Sequence, residues 1–432
     1  MCDGPEVSRF LRHRCHKRPA RSVNLCMNRN EGSGVTSHDI VVVGAGLAGL
    51  AVAQLCRREG RSVLVLDPHP GGRARSDTKD GFIFNRGPHA VYLGGATERV
   101  LGRLGIALPG GPPQITDGAI LAGTTTDRLP SSAASLVACG YLGLRDKASL
   151  GSFFARLPKL RAAEWSGVPT TELVGDLRER ARLVALMAIR TSTYCAVHDR
   201  LSADVAVTAL QAPGVRYVDG GWQRLVDELS AGVDIVAASV TAAGEGEVHS
   251  AAGVHRAKGV VIAAGTPSAT ASLLGLGPFS VDGPIEVASL DLGLRAGVVH
   301  PLLLALDEPL YFSMHSPAAA VAPAGRFVAH AATYITPLSA KEPKKQREQL
   351  DSHAQRSGVH PDSVVTSRYL HRMTVVGALP SAANGGLAGR PSIDTSGFSD
   401  VFIAGDWVGP EGQLADASFA SAEAVAARLV KA

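Results

Sequence analysis

The sequence has few aromatic residues and no paired cysteines, and both absences narrow the classes of protein to consider. Phe, Trp and Tyr make up only 5% of the 432 residues. Neither a Cys-x-x-Cys pair nor a regular spacing is found among the six cysteines, Cys2, Cys15, Cys26, Cys56, Cys139 and Cys195. This usage argues against a disulfide-stapled secreted scaffold, favours reduced thiols and predicts a cytoplasmic protein.

An excess of one charge is also missing over most of the chain. Lys and Arg total 43 against 39 Asp and Glu, which gives a formal net charge of +4. Much of that excess lies in residues 1–30, and the remainder is close to neutral. Since no broad basic surface is expected, the sequence predicts no nucleic-acid partner.

No apolar run is suited to crossing a bilayer. Residues 40–56 come nearest, but this run contains a glycine motif and changes from a strand pattern to a helical pattern. A spanning helix needs roughly 18 or more consecutive apolar residues. We therefore expect a soluble protein, with peripheral membrane contact left open.

The first 38 residues lack both apolar periodicity and a balanced charge. We interpret residues 1–38 as a disordered basic extension. A targeting role and an alternative start at Met27 are both compatible with this composition. The cluster His13-Arg14-Cys15-His16 has no second ligand pair, so no metal site is predicted there.

The most informative feature that is present is a glycine motif placed between two apolar strands. The first strand leads directly into Gly44, Gly46 and Gly49, and the second strand ends at Asp67. In a dinucleotide-binding turn such glycines permit the sharp turn, the close approach of a pyrophosphate and tight helix packing. The N–H groups that open the following helix, at Leu47 and Ala48, favour phosphate. Asp67 stands where a ribose-binding acid is expected.

A second motif follows Asp67 and adds a cation. Gly71 and Gly72 leave the backbone without side chains, and Arg73 supplies a guanidinium that can pair with a pyrophosphate. The Gly-Gly-Arg-x-x-Ser run resembles the FAD superfamily of amine oxidases, protoporphyrinogen oxidases and phytoene desaturases. The resemblance implies that the dinucleotide is FAD.

Two later segments extend the same resemblance. Residues 231–265 resemble the adenine-side excursion of the superfamily, in which the backbone at the position of Val240 contacts adenine. Residues 401–407 resemble its second FAD motif, so Gly405 and Asp406 are expected at the ribityl chain. A helix starting near Leu414 would then direct its N-terminus at the flavin.

The predicted fold class is α/β. A Rossmann-type FAD-binding domain of the glutathione reductase-like kind is interleaved with an α+β substrate domain. We assign residues 39–110, 211–275 and 390–432 to the FAD-binding domain, and residues 111–210 and 276–389 to the substrate domain. The expected elements include helices over 181–190 and 205–210, an antiparallel sheet over 285–335 and a charged helix over 341–358.

The predicted function is FAD-dependent hydride abstraction, a desaturation or dehydrogenation, from an apolar organic substrate such as an isoprenoid. Residues 85–90, 215–222 and 368–380 resemble the phytoene desaturase-like and protoporphyrinogen oxidase-like branches most. A flavin amine oxidase is an alternative, although its C-terminal glycine-aromatic-methionine run is absent. A non-catalytic lipid-binding protein of the same fold is a further alternative.

No catalytic residue is assigned from the sequence, because hydride transfer to flavin often needs no essential acid or base. His89 is the best polar candidate, although a structural histidine is the simpler interpretation. Lys341, Lys344 and Lys345 are interpreted as a solvated helix face rather than as an amine oxidase-type lysine. Oligomeric state is not predicted. The predicted cofactor-binding residues are Gly44, Gly46, Leu47, Ala48, Gly49, Asp67, Gly72, Arg73, Val240, Gly405 and Asp406.

Overall fold

The structure is a computed structural model that describes residues 36–336 and 341–431. The predictions for residues 1–35, including the basic extension, the start at Met27 and the cluster at residues 13–16, lie outside the described residues. One boundary needs correction. The first strand begins at Thr36 rather than Asp39, because Thr36, Ser37 and His38 continue the parallel pairing into a second strand.

Over the described residues the chain alternates strands and helices. The strands are β1 (Thr36–Val43), β2 (Val63–Leu66), β3 (Ser76–Lys79), β4 (Phe82–Asn85), β5 (Val91–Tyr92), β6 (Gly110–Gly111), β7 (Ala119–Ala122), β8 (Thr125–Arg128), β9 (Val215–Val218), β10 (Asp234–Val236), β11 (Val240–Gly244), β12 (Glu247–Ser250), β13 (Gly253–Ile262), β14 (Ile285–Leu294), β15 (Leu302–Ala305), β16 (Leu310–Met314), β17 (Phe327–Tyr334), β18 (Val364–Val376) and β19 (Val401–Ile403). The helices are α1 (Leu47–Arg58), α2 (Ala96–Arg103), α3 (Ala133–Ala138), α4 (Leu144–Arg156), α5 (Thr170–Leu173), α6 (Glu179–Thr193), α7 (Ala203–Gln211), α8 (Gln223–Ser230), α9 (Pro267–Leu274), α10 (Pro343–Arg356) and α11 (Ala415–Lys431).

The first sheet is built on a parallel core in the order β10-β2-β1-β13-β19, and β12 and β11 extend it as an antiparallel meander. The strand segments at the centre of this parallel core are apolar, as expected where helices cover both faces. Ile40 to Val43 and Val63 to Leu66 are all buried. One face packs against α1, α2, α8 and α11, and the other against α9 and the buried Trp407.

This sheet draws its strands from three separated stretches of the chain, 36–66, 234–262 and 401–403. The C-terminal strand β19 pairs in parallel with β13, and α11 packs on α1. The far end of the chain therefore returns to the glycine turn at its beginning. That return brings residues 401–407 next to residues 44–49.

The second sheet has the order β18-β14-β17-β16-β15-β7-β8 and is antiparallel except between β15 and β7. Helices α4 to α7 supply an apolar core on one side, and α10 packs against β14, β16 and β17 on the other. β14 is second from one edge of this sheet and pairs with β17 and with the edge strand β18. The long β18 carries residues 372–375 toward the first sheet.

The mixed α/β fold is confirmed, as are the helices expected near residues 181–190, 205–210 and 341–358 and the antiparallel sheet over 285–335. The short strands β5, β6 and β9, which pair with one another, were not expected. Among residues 36–336 and 341–431, no helix combines the length and apolarity required to cross a membrane.

Candidate active site

The turn between β1 and α1 requires glycine at two positions and leaves space at a third. Gly44 has φ +105°, and a Cβ there would lie 2.3 Å from the Ala263 carbonyl oxygen. A Cβ on Gly49 would lie 1.9 Å from the Gly44 carbonyl oxygen. A Cβ on Gly46 would meet nothing within 4 Å. The turn is thus closed on its protein side and open in front of Gly46, where a bound group can approach the backbone.

Asp67 holds this turn from the end of β2. Its carboxylate accepts hydrogen bonds from the N–H groups of Ala45 and His69, both at 2.7 Å. The Gly71 N–H donates to the Ala45 carbonyl at 2.8 Å, so the glycine pair after β2 is bound to the same turn. Each carboxylate oxygen retains a further lone pair toward the cavity, since a carboxylate offers about four acceptor sites.

Arg73 and Asp406 form a bidentate ion pair across the site. The two terminal nitrogens of Arg73 donate to the two carboxylate oxygens of Asp406 at 2.7 and 2.8 Å. The side chain of Asp406 is 3% exposed and that of Arg73 is 38% exposed. Burial by itself lowers the pKa of Arg73, but the Asp406 carboxylate outweighs it and raises that pKa above the ordinary value. Arg73 is therefore charged at neutral pH.

This pairing bears on the roles predicted for the two residues. Both terminal nitrogens of Arg73 are engaged, so a phosphate contact would share or replace its bonds to Asp406. Asp406 also accepts from the Gly377 N–H at 3.0 Å, and the carboxylate keeps acceptor capacity for a hydroxyl group. The contacts of Arg73 with pyrophosphate and of Asp406 with ribityl hydroxyls stay predictions.

Arg390 supports the Asp406 loop and was not identified from the sequence. Its guanidinium is buried and donates to the carbonyls of Asp406 at 3.1 Å and Gly412 at 2.7 Å. Burial lowers the pKa of Arg390 to about 10, which still leaves it protonated at neutral pH. It lies after a glycine-rich stretch that matches no motif, so no pattern in the sequence distinguishes it from a surface arginine.

These elements surround a cavity of about 550 Å³. Nine of the eleven predicted cofactor-binding residues line it: Gly44, Gly46, Leu47, Ala48, Asp67, Gly72, Arg73, Gly405 and Asp406. Gly49 lies behind the turn, where it permits the close packing of α1. Val240 begins β11 and is not part of the wall of this cavity, so its adenine contact stays a prediction.

The N-terminus of α11 opens onto the same cavity through Leu414, Ala415 and Ser418. Leu414, immediately before the helix, has φ +54°, a left-handed conformation that is uncommon for a non-glycine residue. The first-turn acid Asp416 accepts from the Thr97 N–H at 2.8 Å. The helix dipole is therefore directed at the cavity, where negative charge is favoured.

Residues 86–90, Trp222 and residues 372–375 form the wall away from the glycine turn. The His89 ring packs edge-on against Trp222 with centroids 4.9 Å apart, and its Nδ1 donates to the Gly87 carbonyl at 3.1 Å. Desolvation lowers the pKa of His89 to about 4. His89 is accordingly neutral at pH 7 and can act there as a hydrogen-bonding group but not as a cation.

A buried ionic cluster connects strands of the second sheet to β3. Asp291 is fully buried and accepts from His330 Nδ1 at 2.7 Å and from Arg368 at 2.6 Å. Arg368 also pairs with Asp77 at 2.6 Å, so this arginine links β18 to β3. His330 lies edge-on to His315 with ring centroids 4.4 Å apart. We assign the cluster to holding β14, β17 and β18 together.

A second cavity of about 410 Å³ adjoins the first. Tyr194 and Arg372 line both cavities. Tyr194 has φ +56° at the end of α6, and its hydroxyl donates to the Pro88 carbonyl at 3.1 Å. A non-glycine residue in this conformation is uncommon and often marks a functional position. Most other wall residues are apolar: Cys195, Ala196, Val197, Pro284, Ile285, Tyr334, Ile335 and Leu379.

The structure shows the surroundings of two of the three lysines considered from the sequence, Lys341 and Lys345. Lys345 is exposed and pairs with Glu342 at 3.2 Å, as expected for a solvated helix face. Lys341 is also exposed, precedes α10 and lines the second cavity. Across the described part of the chain, no group of three or more His, Cys, Asp or Glu side chains is arranged to hold a metal ion.

The residues present fit a dinucleotide. The glycine turn is open only in front of Gly46, a guanidinium lies across the cavity, and the N-termini of two helices, α1 and α11, face into it. A neutral apolar ligand would make no use of these polar groups. A phosphate-bearing ligand would use each of them.

Comparison with known proteins agrees with this geometry. Residues 42–104 match the family described as "NAD(P)-binding Rossmann-like domain". The human all-trans-retinol 13,14-reductase is 40% identical over 67 residues, which is 15% of this chain and 11% of the human protein. The matched part thus spans about a tenth of that relative's length.

Solved structures resemble nearly the whole chain at low identity. An oxidoreductase from Methanosarcina mazei has a TM-score of 0.71 at 16% identity, covering 89% of this chain and 99% of that one. Putrescine oxidase bound to putrescine has a TM-score of 0.67 at 16% identity, covering 92% and 100%. RAB GDI from Plasmodium falciparum has a TM-score of 0.56 at 12% identity, covering 92% and 98%.

These likenesses confirm the predicted fold. The chain has the fold seen in putrescine oxidase and in the Methanosarcina mazei oxidoreductase, with a Rossmann-like part over residues 42–104. The same fold occurs in a RAB GDI, so the fold by itself does not establish catalysis. The activity has to be argued from the site.

Proposed function

We propose that the protein is an FAD-dependent oxidoreductase that abstracts a hydride from an apolar organic substrate such as an isoprenoid. One observation carries the proposal: the cavity at the glycine turn and a second, mostly apolar cavity share Tyr194 and Arg372 as wall residues. A substrate in the second cavity would therefore lie against a dinucleotide in the first. The cytoplasmic location expected from the cysteines stays a prediction.

FAD, when bound, supplies a two-electron acceptor for the hydride. The chain's residues hold and orient the two reactants. The turn at Gly46 and the Arg73–Asp406 pair are proposed to fix the phosphate and ribityl parts. The N-terminus of α11 favours negative charge at the cavity, and such preorganised dipoles stabilise charge that develops during reaction.

Tyr194 and the wall formed by His89 and Trp222 would position the substrate. Tyr194 is held by its bond to Pro88, and His89 by its bond to Gly87. Because the pKa of His89 is lowered to about 4, it would not repel or attract a substrate through charge at neutral pH. The substrate loses a hydride and a proton, and an external acceptor such as oxygen or a quinone restores the oxidised cofactor.

Anaerobic titration tests the activity. Purified protein containing FAD is mixed with isoprenoids, porphyrinogens or amines in the absence of oxygen, and bleaching of the flavin spectrum is followed. The proposal expects bleaching by an apolar substrate. The reduced protein should also be tested with polyenes as acceptors, since one relative is named a reductase. FAD that is bound but neither bleached nor reoxidised by any of these compounds would contradict the proposed reaction.

A flavin amine oxidase is the second candidate. It is supported by the likeness to putrescine oxidase, which extends over the whole of that chain. Peroxide release from primary amines distinguishes the two functions, because the desaturation proposal expects none. The remaining alternative, a non-catalytic lipid-binding protein, predicts protein that retains no flavin.

A further inference from the structure

The second cavity has an unequal distribution of charge around its apolar walls. Arg200, Lys341 and Arg372 line it, against one carboxylate, that of Glu286. Arg372 donates to Glu286 at 2.7 Å, and Arg200 pairs with Asp282 at 2.7 Å. Both arginine side chains remain about half exposed, at 53% and 49%. Their guanidinium groups can therefore accept a further anionic partner from the cavity.

A fourth cation lies behind the cavity wall. Arg190, in the last turn of α6, is 8% exposed, and its guanidinium lies 5.8 Å from the centre of the Tyr334 ring. It donates to the Ala305 carbonyl, while its Nε–H has no partner among the described residues. No ion pair joins Arg190 to a described carboxylate, and desolvation lowers its pKa.

Tyr334 separates this buried cation from the cavity. Tyr334 lines the cavity, and the guanidinium of Arg190, which does not line it, lies over the Tyr334 ring. The four cations are Arg190, Arg200, Lys341 and Arg372, and the carboxylates paired with them are Glu286 and Asp282. Among the described residues, Arg190 and Lys341 are thus left without a carboxylate. Such an excess of positive charge favours an anion and disfavours a cation.

We propose that the second cavity binds an amphipathic anion: an apolar chain against the apolar walls and a carboxylate or similar anionic group against the arginines. This rests on the proposed function in so far as the cavity is the substrate site. It narrows the substrate class from apolar molecules to apolar molecules that carry an anionic head. It also argues against protonated amines, which would meet the same positive field.

Three probes of equal chain length test the proposal: decanoate, decanol and decylamine. Their binding to the full-length, FAD-loaded protein is measured by calorimetry at neutral pH and moderate salt. Charge-assisted hydrogen bonds to one or two guanidinium groups should make decanoate bind about tenfold more tightly than decanol. Decylamine should bind most weakly. Equal affinities for all three, or tighter binding of decylamine, would overturn the proposal.

Variants locate the anion. Arg200→Gln should lower the affinity for decanoate severalfold while leaving that for decanol unchanged. Arg178→Gln is the matched control, since Arg178 also pairs with an aspartate and is similarly exposed, at 55%, but does not line the cavity. If both variants weaken the binding of decanoate equally, the effect comes from the overall charge of the protein rather than from the cavity, and the proposal is wrong. Arg190→Met tests the buried cation and should also lower the affinity for decanoate. Circular dichroism and thermal unfolding verify that this variant is folded.

The outcomes separate this inference from the proposed function. Protein that holds FAD but shows no preference for decanoate contradicts the inference alone. Protein that prefers decanoate through Arg200 but never binds flavin contradicts the proposed function and leaves the anion site standing.

Discussion

Arg73 and Asp406 lie 333 residues apart in the sequence and are joined by two hydrogen bonds, at 2.7 and 2.8 Å. The pair connects the loop after β2 with the loop after β19, and so joins the two motifs that the sequence places at opposite ends of the chain. Arg73 also donates to the Val375 carbonyl at 3.0 Å. A single arginine from the Gly-Gly-Arg segment thus contacts both Asp406 and β18.

We expect Asp406→Ala to weaken retention of FAD and to lower the free energy of unfolding. The change leaves a partly buried guanidinium without its partner; because Arg73 is 38% exposed, water screens part of the loss. A cost on the order of 1–3 kcal/mol is expected for a charged hydrogen-bonded pair of this kind. Flavin content per protein and urea unfolding measure the two effects. Asp400→Ala, at an exposed position before β19, is the control; a similar loss of flavin in both variants would refute the specific role of Asp406.

Gly44 and Gly46 should respond to substitution in opposite ways. Gly46 has φ −78°, and its side-chain position is open, so Gly46→Val should fold normally but obstruct the cofactor cavity. Gly44→Ala should instead destabilise the fold, because it combines φ +105° with a Cβ 2.3 Å from a carbonyl oxygen. Thermal unfolding and flavin content distinguish the two. Full flavin occupancy in Gly46→Val would show that the pyrophosphate lies elsewhere.

Arg390 should contribute to cofactor binding without touching the cofactor. Arg390→Met removes the donors to the Asp406 and Gly412 carbonyls and should weaken flavin binding by about three- to tenfold, through disorder of the Asp406 loop. The comparison is Arg428→Met, an exposed arginine that pairs with Asp394 at 3.3 Å. Equilibrium dialysis of FAD measures the affinities. Unchanged affinity in a folded Arg390→Met protein would contradict the positioning role.

Acid should destabilise the protein through its buried neutral histidines. Desolvation lowers the pKa of His353 from 6.5 to about 4, although its bond to the Leu303 carbonyl partly opposes the shift. The unfolded chain therefore binds more protons between pH 6.5 and 4, so stability is full above that window and falls as pH decreases through it. Between pH 7 and pH 5, this histidine should lower the free energy of unfolding by an amount on the order of 1–2 kcal/mol.

The test for His353 is urea unfolding at pH 7 and pH 5. His353→Gln should make the loss of stability on acidification smaller than in the wild-type protein. His360→Gln, at an exposed histidine in the loop after α10, should leave the loss unchanged. An identical pH dependence in the wild-type and His353→Gln proteins would disprove the contribution.

Local patterns were sufficient to predict most of the glycine-turn residues that line the first cavity. The strand, the three glycines and Asp67 are close in sequence, and each has a steric or electrostatic requirement that a pattern can express. The helix starting near Leu414 was also predictable, because its apolar periodicity is strong, and the structure begins α11 at Ala415.

The second cavity could not be predicted from local sequence patterns. It combines residues from 194–200, 283–286 and 334–336 with Lys341, Arg372 and Leu379. These residues meet only after β14, β17 and β18 have paired. The left-handed conformation of Tyr194 has no sequence signal, because tyrosine is not a residue that favours it. The burial of Arg190 likewise depends on tertiary packing, and its sequence context is an ordinary amphipathic helix.

The most direct test of the account is the absorbance spectrum of purified protein, recorded before and after denaturation, with the released cofactor identified by chromatography. We predict a flavin spectrum, release of FAD in near one-to-one ratio with protein, and loss of that flavin in the Gly46→Val variant. Colourless protein that cannot be reconstituted with FAD would contradict the central claim.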